Sequence, residues 1–386
     1  MSRTLLQLRR ITSSGRFVPE IDGLRFVAIA SVVMYHLHGF VLMNRVVPDV
    51  HDSLRAVVEH GYRGVNLFYV ISGFILGLPF AAHYLKGEPV VPLRRYFLRR
   101  LTRLEPPYII NLLICFALLV LIDGASPRTL LPHLGASIVY LHNLWFGQSS
   151  TINEVAWTLE VEVQFYCLAP VLAMLFRIRS KLARRATLVW IILIVGSVQT
   201  MYWDGPARVK LTILYAIQFF LTGLLLADIY VVDWKERPAL HWRWDLVSLL
   251  CWPLLFMAGD LAVWVGLPFL MLAAYIGAFK GVVFNRIFRN QIITTIGGMC
   301  YTIYLFHYKL IPAVLRFSKP VHFGVGFDAY FALQILIYTP ILLLVSCSYF
   351  ALVERPCMGR DWPRRVFHRI IWLIKPKPRR QKALPS

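Results

Sequence analysis

Apolar residues arrive along this chain in blocks, not in alternation. Runs at roughly 24–43, 63–82, 106–122, 157–176, 187–203, 211–231, 246–259, 261–279, 294–312 and 329–353 are separated by short polar segments. A helix needs about 20 predominantly apolar residues to cross the hydrocarbon core, with a range of roughly 17–25. The pattern therefore predicts an all-α polytopic membrane protein with about ten transmembrane helices. The 246–259 run is the shortest of the ten, and its border with the next is the least distinct. A further apolar run at 134–146 is too short to cross and is expected to be re-entrant.

Basic residues set the orientation. Lys86, Arg94, Arg95, Arg99, Arg100 and Arg103 lie in one polar segment. Arg177, Arg179, Lys181, Arg184 and Arg185 lie in another, and Lys280, Arg286 and Arg289 in a third. Placing these segments, together with both basic termini, on the cytoplasmic side satisfies the positive-inside rule. The parity then closes only if 134–146 does not cross. The expected organisation is a cytoplasmic basic tail over 1–18, a transmembrane domain over 19–356, and a cytoplasmic basic tail over 357–386. In "WPRRVFHRIIWLI", Val366, Phe367, Ile370, Ile371 and Ile374 share one helical face, with arginines opposite. That stretch reads as an interfacial helix on the inner leaflet, and 376–386 reads as disordered. No second soluble domain, internal repeat or cleavable signal peptide is evident.

Composition agrees. Of 386 residues, 58% are hydrophobic and only 16% charged, and the mean hydropathy is +0.60. The formal net charge of +21 could suggest nucleic acid, but the basic residues sit in short flanks of apolar runs, so no nucleic-acid partner is expected. The six cysteines form no CxxC pair. They read as packing residues, and no metal site is expected.

Ionisable residues inside the apolar runs carry the functional signal, because such groups are costly in lipid. In "RFVAIASVVMYH", Arg25 and His36 are 11 residues apart. At ~100° per residue they share a helical face, separated by a rise of roughly 16 Å. Snorkelling of Arg25 to the inner surface is the plain alternative. "WTLEVEVQFY" places Glu160 and Glu162 inside the outer end of another span. "GGMCYTIYLFH" places His307 in a third, with Tyr304 three residues before it. Glu354, Arg355 and Pro356 close the last span. Together they imply a polar cavity through the bundle. In "LRRYFLRRLTRLEPPY", Arg95, Arg99 and Arg103 repeat every four residues on one face. Ordinary positive-inside flanking explains much of that charge; a phosphate site explains the spacing equally well, since guanidinium forks suit phosphate oxygens.

These motifs, in this order, resemble the acyltransferase-3 family of integral membrane O-acyltransferases. Arg25 and His36, preceded by "EIDGLR", match the family's arginine/lysine–ten residues–histidine signature. "GVNLFYVISGF", "RRLTRLEPPY", "WTLEVEVQFY", the run ending at His307, and "ERP" resemble its later motifs. The resemblance covers residues 19–356. Two positions depart: Asn66 stands where the family often has aspartate, and Val163 where it has a second glutamate, which makes Glu162 the matching glutamate and Glu160 an extra.

The resemblance implies transfer of an acyl group, by default acetyl, from cytoplasmic acyl-CoA to a hydroxyl of a cell-surface saccharide or glycolipid. His36 would be the general base or a transient acyl carrier. Arg25 and Glu162 would complete the catalytic group, with Glu162 orienting a histidine. Arg95, Arg99 and Arg103 would hold the phosphates of the donor, acetyl-CoA by default. Ser72 and Gly73 would sit beside the donor, letting helices approach closely. Trp157, Tyr304, His307 and Glu354 would line the substrate cavity. The implied location is a bacterial inner membrane. Some family members carry a fused extracytoplasmic hydrolase-like domain; none is seen in this sequence, so the acceptor is expected to arrive without one. A proton-coupled transporter is the competing class, since transport also needs intramembrane histidines and glutamates. It accounts for neither the arginine face nor the ordered motifs.

Overall fold

The computed structural model describes residues 10, 17–44, 52–201, 206–259, 265–321, 325–359 and 362, and the regular elements among them are all helical. In chain order the helices are α1 (Pro19–Asn44), α2 (Arg63–Lys86), α3 (Leu93–Leu121), α4 (Pro127–Ile138), α5 (His142–Phe146), α6 (Trp157–Leu172) and α7 (Lys181–Met201). They continue as α8 (Ile213–Val232), α9 (Arg243–Met257), α10 (Leu267–Lys280), α11 (Val283–Phe288), α12 (Gln291–Gly298), α13 (Cys300–Ser318) and α14 (Phe327–Tyr349). Past Tyr349, α14 runs on through a π turn, Phe350–Glu354. The interfacial helix and disordered tail expected beyond 363, and most of the N-terminal tail, lie outside the described residues.

Seven helical stretches are long and apolar enough to cross a membrane among the described residues: they contain α1, α2, α3, α6, α7, α8 and α14. The protein is a polytopic membrane protein. Three of the ten apolar runs fall on other kinds of helix. The 246–259 run is α9, with 15 residues. The described part of 261–279 is α10, with 14. The 294–312 run is divided at Met299 between α12 and α13. Asn290 starts α12 by accepting from the backbone N–H groups of Ile292 and Ile293. His307, Lys309 and Arg316 lower the hydropathy of α13. The 134–146 run is also broken, into α4 and α5, and Tyr140 between them has φ 56°. Neither piece is long enough to cross.

Two apolar clusters build the bundle. One joins α2, α8 and α10 through residues such as Phe74, Phe220, Tyr275 and Phe279. The other joins α1, α13 and α14 through Ile29, Leu305, Phe331 and Tyr338. The most extensive helix pair is α2 with α8. Glycine makes that approach possible. A Cβ on Gly73 would lie 2.1 Å from the Phe220 carbonyl oxygen, and one on Gly223 would lie 2.2 Å from that of Val70. Small residues at helix interfaces serve the same end in membranes generally.

Charges buried outside the cavity are consumed structurally. Arg63, 1% exposed, donates to the carbonyls of Leu255 and Ala258 at 2.8 Å each, which closes the C-terminal end of α9. Asp228, fully buried on α8, is clamped by Arg184 and Arg185 of α7.

Gly223→Ala should destabilise the protein by about 1–3 kcal/mol, because the added methyl forces the α2–α8 pair apart. Thermal unfolding of the detergent-solubilised protein measures it, and an unchanged midpoint would show that the close approach is dispensable.

Candidate active site

A cavity of about 750 Å³ opens among α1, α2, α3, α6 and α13. Its mouth is basic. Arg95, Arg99, Arg100 and Arg103 of α3 line it, with Arg25 of α1 and Arg10. The α3 spacing produces this directly, since steps of four residues keep one helical face. Arg95, Arg99 and Arg103 also line a second groove of about 570 Å³, closed on its far side by Cys357–Gly359. The arginine row thus stands between two openings.

Arg25 is held by Asp22, one turn earlier, at 2.5 Å, and Arg10 reaches the same carboxylate at 3.2 Å. The site had a further arginine that spacing alone did not single out. Arg100 lies 3.6 Å from the centroid of the Tyr96 ring and 5.6 Å from that of Tyr166. Its Nη1 donates to the Tyr96 carbonyl at 2.8 Å, and its buried Nε has no hydrogen-bond partner. The available signal was Tyr96 four residues before it, a cation–π pair within one helix.

Away from the arginines the cavity carries further polar side chains. Glu162 of α6 accepts from Ser72 Oγ of α2 at 2.6 Å and from the Tyr166 hydroxyl. Glu354, at the end of the π turn, accepts from Thr302 Oγ1 at 2.5 Å. Tyr304 of α13 lines the wall; its hydroxyl meets Thr158 Oγ1 at 2.6 Å and bonds the Val155 carbonyl.

Behind Tyr304 stand the two histidines. His307, fully buried, has Nδ1 2.7 Å from the Tyr304 carbonyl oxygen. Its Nε2 is 3.0 Å from Nδ1 of His36. The His36 ring, partly exposed, also meets the rings of Tyr35 and Tyr308 edge-on, with centroids 5.1 and 5.0 Å away. The histidine pair is therefore connected to the cavity through Tyr304 and is not part of its wall.

Among the residues singled out in the sequence, Arg25, Ser72, Arg95, Arg99, Arg103 and Glu162 line one cavity, as do Tyr304 and Glu354. His36 and His307 join it through one residue. Gly73 does not face the cavity; it packs against α8. Trp157 is absent from the wall and packs on the α2–α8 cluster. Its carbonyl accepts from Asn143 Nδ2 at 3.0 Å. Glu160 is separate from Glu162 in space as well as direction. It accepts from the backbone N–H groups of His142 and Asn143, at 3.2 and 2.8 Å, and so holds the first turn of α5. Among the described residues, no group of three His, Cys, Asp or Glu side chains could hold a metal ion.

The structure is thus a polytopic bundle with an arginine-lined cavity and a histidine pair behind the Tyr304 wall of that cavity. The chain belongs to the acyltransferase-3 family, whose model, described as an acyltransferase domain, matches residues 18–353. A peptidoglycan O-acetyltransferase of Listeria monocytogenes is 25% identical over 347 residues, covering 80% of this chain and 52% of that protein. An inferred O-acetyltransferase of Staphylococcus aureus strain COL is 24% identical over 335 residues, 78% of this chain and 51% of its own length. An inferred peptidoglycan O-acetyltransferase of Bacillus subtilis is 24% identical over 399 residues, 93% of this chain and 58% of that one. The chain spans about half the length of the curated relatives it matches. No solved structure matches it.

Glu160→Ala should leave two buried N–H groups without an acceptor and destabilise the fold by about 1–3 kcal/mol for each. A thermal midpoint equal to that of the wild type would remove Glu160 from this structural role.

Proposed function

We propose that this protein is an acyl-CoA-dependent O-acyltransferase of the bacterial inner membrane, moving acetyl to a hydroxyl of peptidoglycan or another cell-surface saccharide. The observation that carries the reading is the arginine-lined mouth of a cavity whose inner wall, at Tyr304, is bonded to the His36–His307 pair. The curated names of the relatives support acetyl as the acyl group and a saccharide as the acceptor. The topology that goes with it is ten spans over residues 19–356 with both basic tails, 1–18 and 357–386, in the cytoplasm, so that the arginine mouth faces the cytoplasmic donor. α9, α10 and the α12–α13 pair supply the remaining crossings, and α4–α5 is re-entrant.

Coenzyme A is polyanionic and cannot enter lipid. Arg95, Arg99 and Arg103 hold its phosphates by charge-assisted hydrogen bonds, and Arg100, with its unpaired Nε, is a fourth donor. The thioester arm then extends past Ser72 and Glu162 toward Tyr304. The acceptor hydroxyl attacks the thioester carbonyl carbon and gives its proton to His36. The C–O bond forms, the C–S bond breaks, and the thiolate of coenzyme A takes up the proton from His36. Glu162, held by Ser72 and Tyr166, keeps the inner cavity polar without pairing either histidine directly.

His36→Ala should lower acyl transfer by roughly 10²–10⁴-fold, the usual worth of a general base, while the protein stays in the membrane. Acetyl-CoA binding and release of free coenzyme A by the detergent-purified protein measure this without a known acceptor. Full activity in the variant would end the general-base role, and failure of the wild type to bind any acyl-CoA would favour transport. Replacing Arg95, Arg99 and Arg103 together with Gln should raise the KM for acyl-CoA by ~10-fold or more, given roughly 1.5–3 kcal/mol for a hydrogen bond to a charged group. An unchanged KM would leave those arginines as topology signals only.

A further inference from the structure

The bond between His307 and the Tyr304 carbonyl has a consequence for His36. A carbonyl oxygen only accepts, so His307 Nδ1 carries the proton in that contact, at 2.7 Å. An uncharged imidazole has one N–H, so the Nε2 of His307 is then a bare acceptor. The atom facing it at 3.0 Å is Nδ1 of His36, which must be the donor. Taking both rings as uncharged, we infer that His307 is a positioning residue that holds the proton of His36 on Nδ1 and leaves Nε2 of His36 as the basic atom.

This rests on the acyltransferase reading for its purpose, though not for its chemistry. The neutral side chain of a free histidine in water favours the proton on Nε2. With only the Val32 carbonyl, one turn earlier, as a further acceptor on its ring, His36 without His307 would more often present an N–H to the acceptor hydroxyl, and an N–H cannot accept a proton. The backbone of α13 corrects this through His307. Burial and two hydrogen bonds fix the His307 side of the pair. Its ring is fully buried, its Nδ1 is tied to its own helix, and its carbonyl accepts from the Tyr338 hydroxyl of α14 at 2.7 Å. When His36 Nε2 takes the hydroxyl proton, the added charge is shared along the Nδ1–H···Nε2 bond, which strengthens because its donor is now cationic. Return of the proton to the leaving thiolate restores the starting pair.

The same wiring occurs once more among the described residues. His142 Nδ1 is 3.1 Å from the Gln148 carbonyl oxygen, and its Nε2 is 2.8 Å from Nδ1 of His133. That pair lies on α4 and α5, away from the cavity wall, and serves as an internal control.

The test is ring-nitrogen NMR of the full-length protein labelled with ¹⁵N-histidine, in mildly alkaline buffer. His133→Asn removes the control pair, and His36→Asn assigns the remaining one. The expected result is an N–H···N coupling between His36 and His307, with His36 Nε2 unprotonated. Protonated Nε2 on His36 in the wild type overturns the inference. Two variants then separate positioning from structure. The amide oxygen of His307→Gln reaches the place of Nε2 and still accepts from His36, whereas His307→Asn reaches only the place of Nδ1. His307→Asn should move the His36 proton to Nε2 and lower kcat by ~10²-fold, with KM for acyl-CoA unchanged; His307→Gln should keep the tautomer and stay within ~10-fold of wild type. Equal losses in both variants, with the tautomer of His36 unmoved, would make His307 merely structural. If the wild type binds no acyl-CoA, the acyltransferase reading fails, while the wild-type spectrum still decides the role of His307.

Discussion

A charged or strongly polar side chain inside a bundle of apolar helices survives only with a fixed polar partner or a wet cavity. Most of the buried ionisable groups here take the first route. Asp228 is clamped between Arg184 and Arg185. Arg63 is spent on the end of α9, and Glu160 on the start of α5. The second route is concentrated in one place. There Glu162, Glu354, Ser72 and Tyr304 meet the arginine face of α3 around a single cavity. The contrast between spent and cavity-facing groups is what distinguishes scaffold from site in this protein.

Packing and chemistry are linked through α2. Gly73 and Gly223 let the backbones of α2 and α8 nearly touch. The residue before Gly73 is Ser72, and one position along a helix is a turn of ~100°. While Gly73 is pressed into α8, Ser72 is carried round to the cavity, where it donates to Glu162. A shift of α2 would change the floor of the cavity without touching any arginine. In the same way α13 serves two ends, because Tyr304 faces the cavity while its carbonyl bonds His307.

Much of this was legible in the sequence, for physical reasons. Apolar runs of spanning length can be little else, and most of them appear as long helices. The four-residue spacing of Arg95, Arg99 and Arg103 is a local property of a helix, and it survives into the structure as one wall. What periodicity could not resolve was continuity. The apolar run across Met299 reads as one helix, yet the chain turns between α12 and α13. Gly73 and Trp157 sit inside motifs shared with cavity residues, and a motif says nothing about which side of its helix faces the cavity. Arg100 was visible as charge but not as a site residue, because its place is set by the rings of Tyr96 and Tyr166 on two different helices.

The sequence by itself determined the membrane class, the family and the helical face of arginines, since each depends on composition, order or short-range spacing. The tertiary structure alone decided the pairings that give those residues roles. His36 and His307 are 271 positions apart, Ser72 and Glu162 are 90, and Thr302 and Glu354 are 52. No local periodicity connects such positions. They meet because burying apolar helix faces against one another leaves few arrangements in which every polar group left inside also finds a partner.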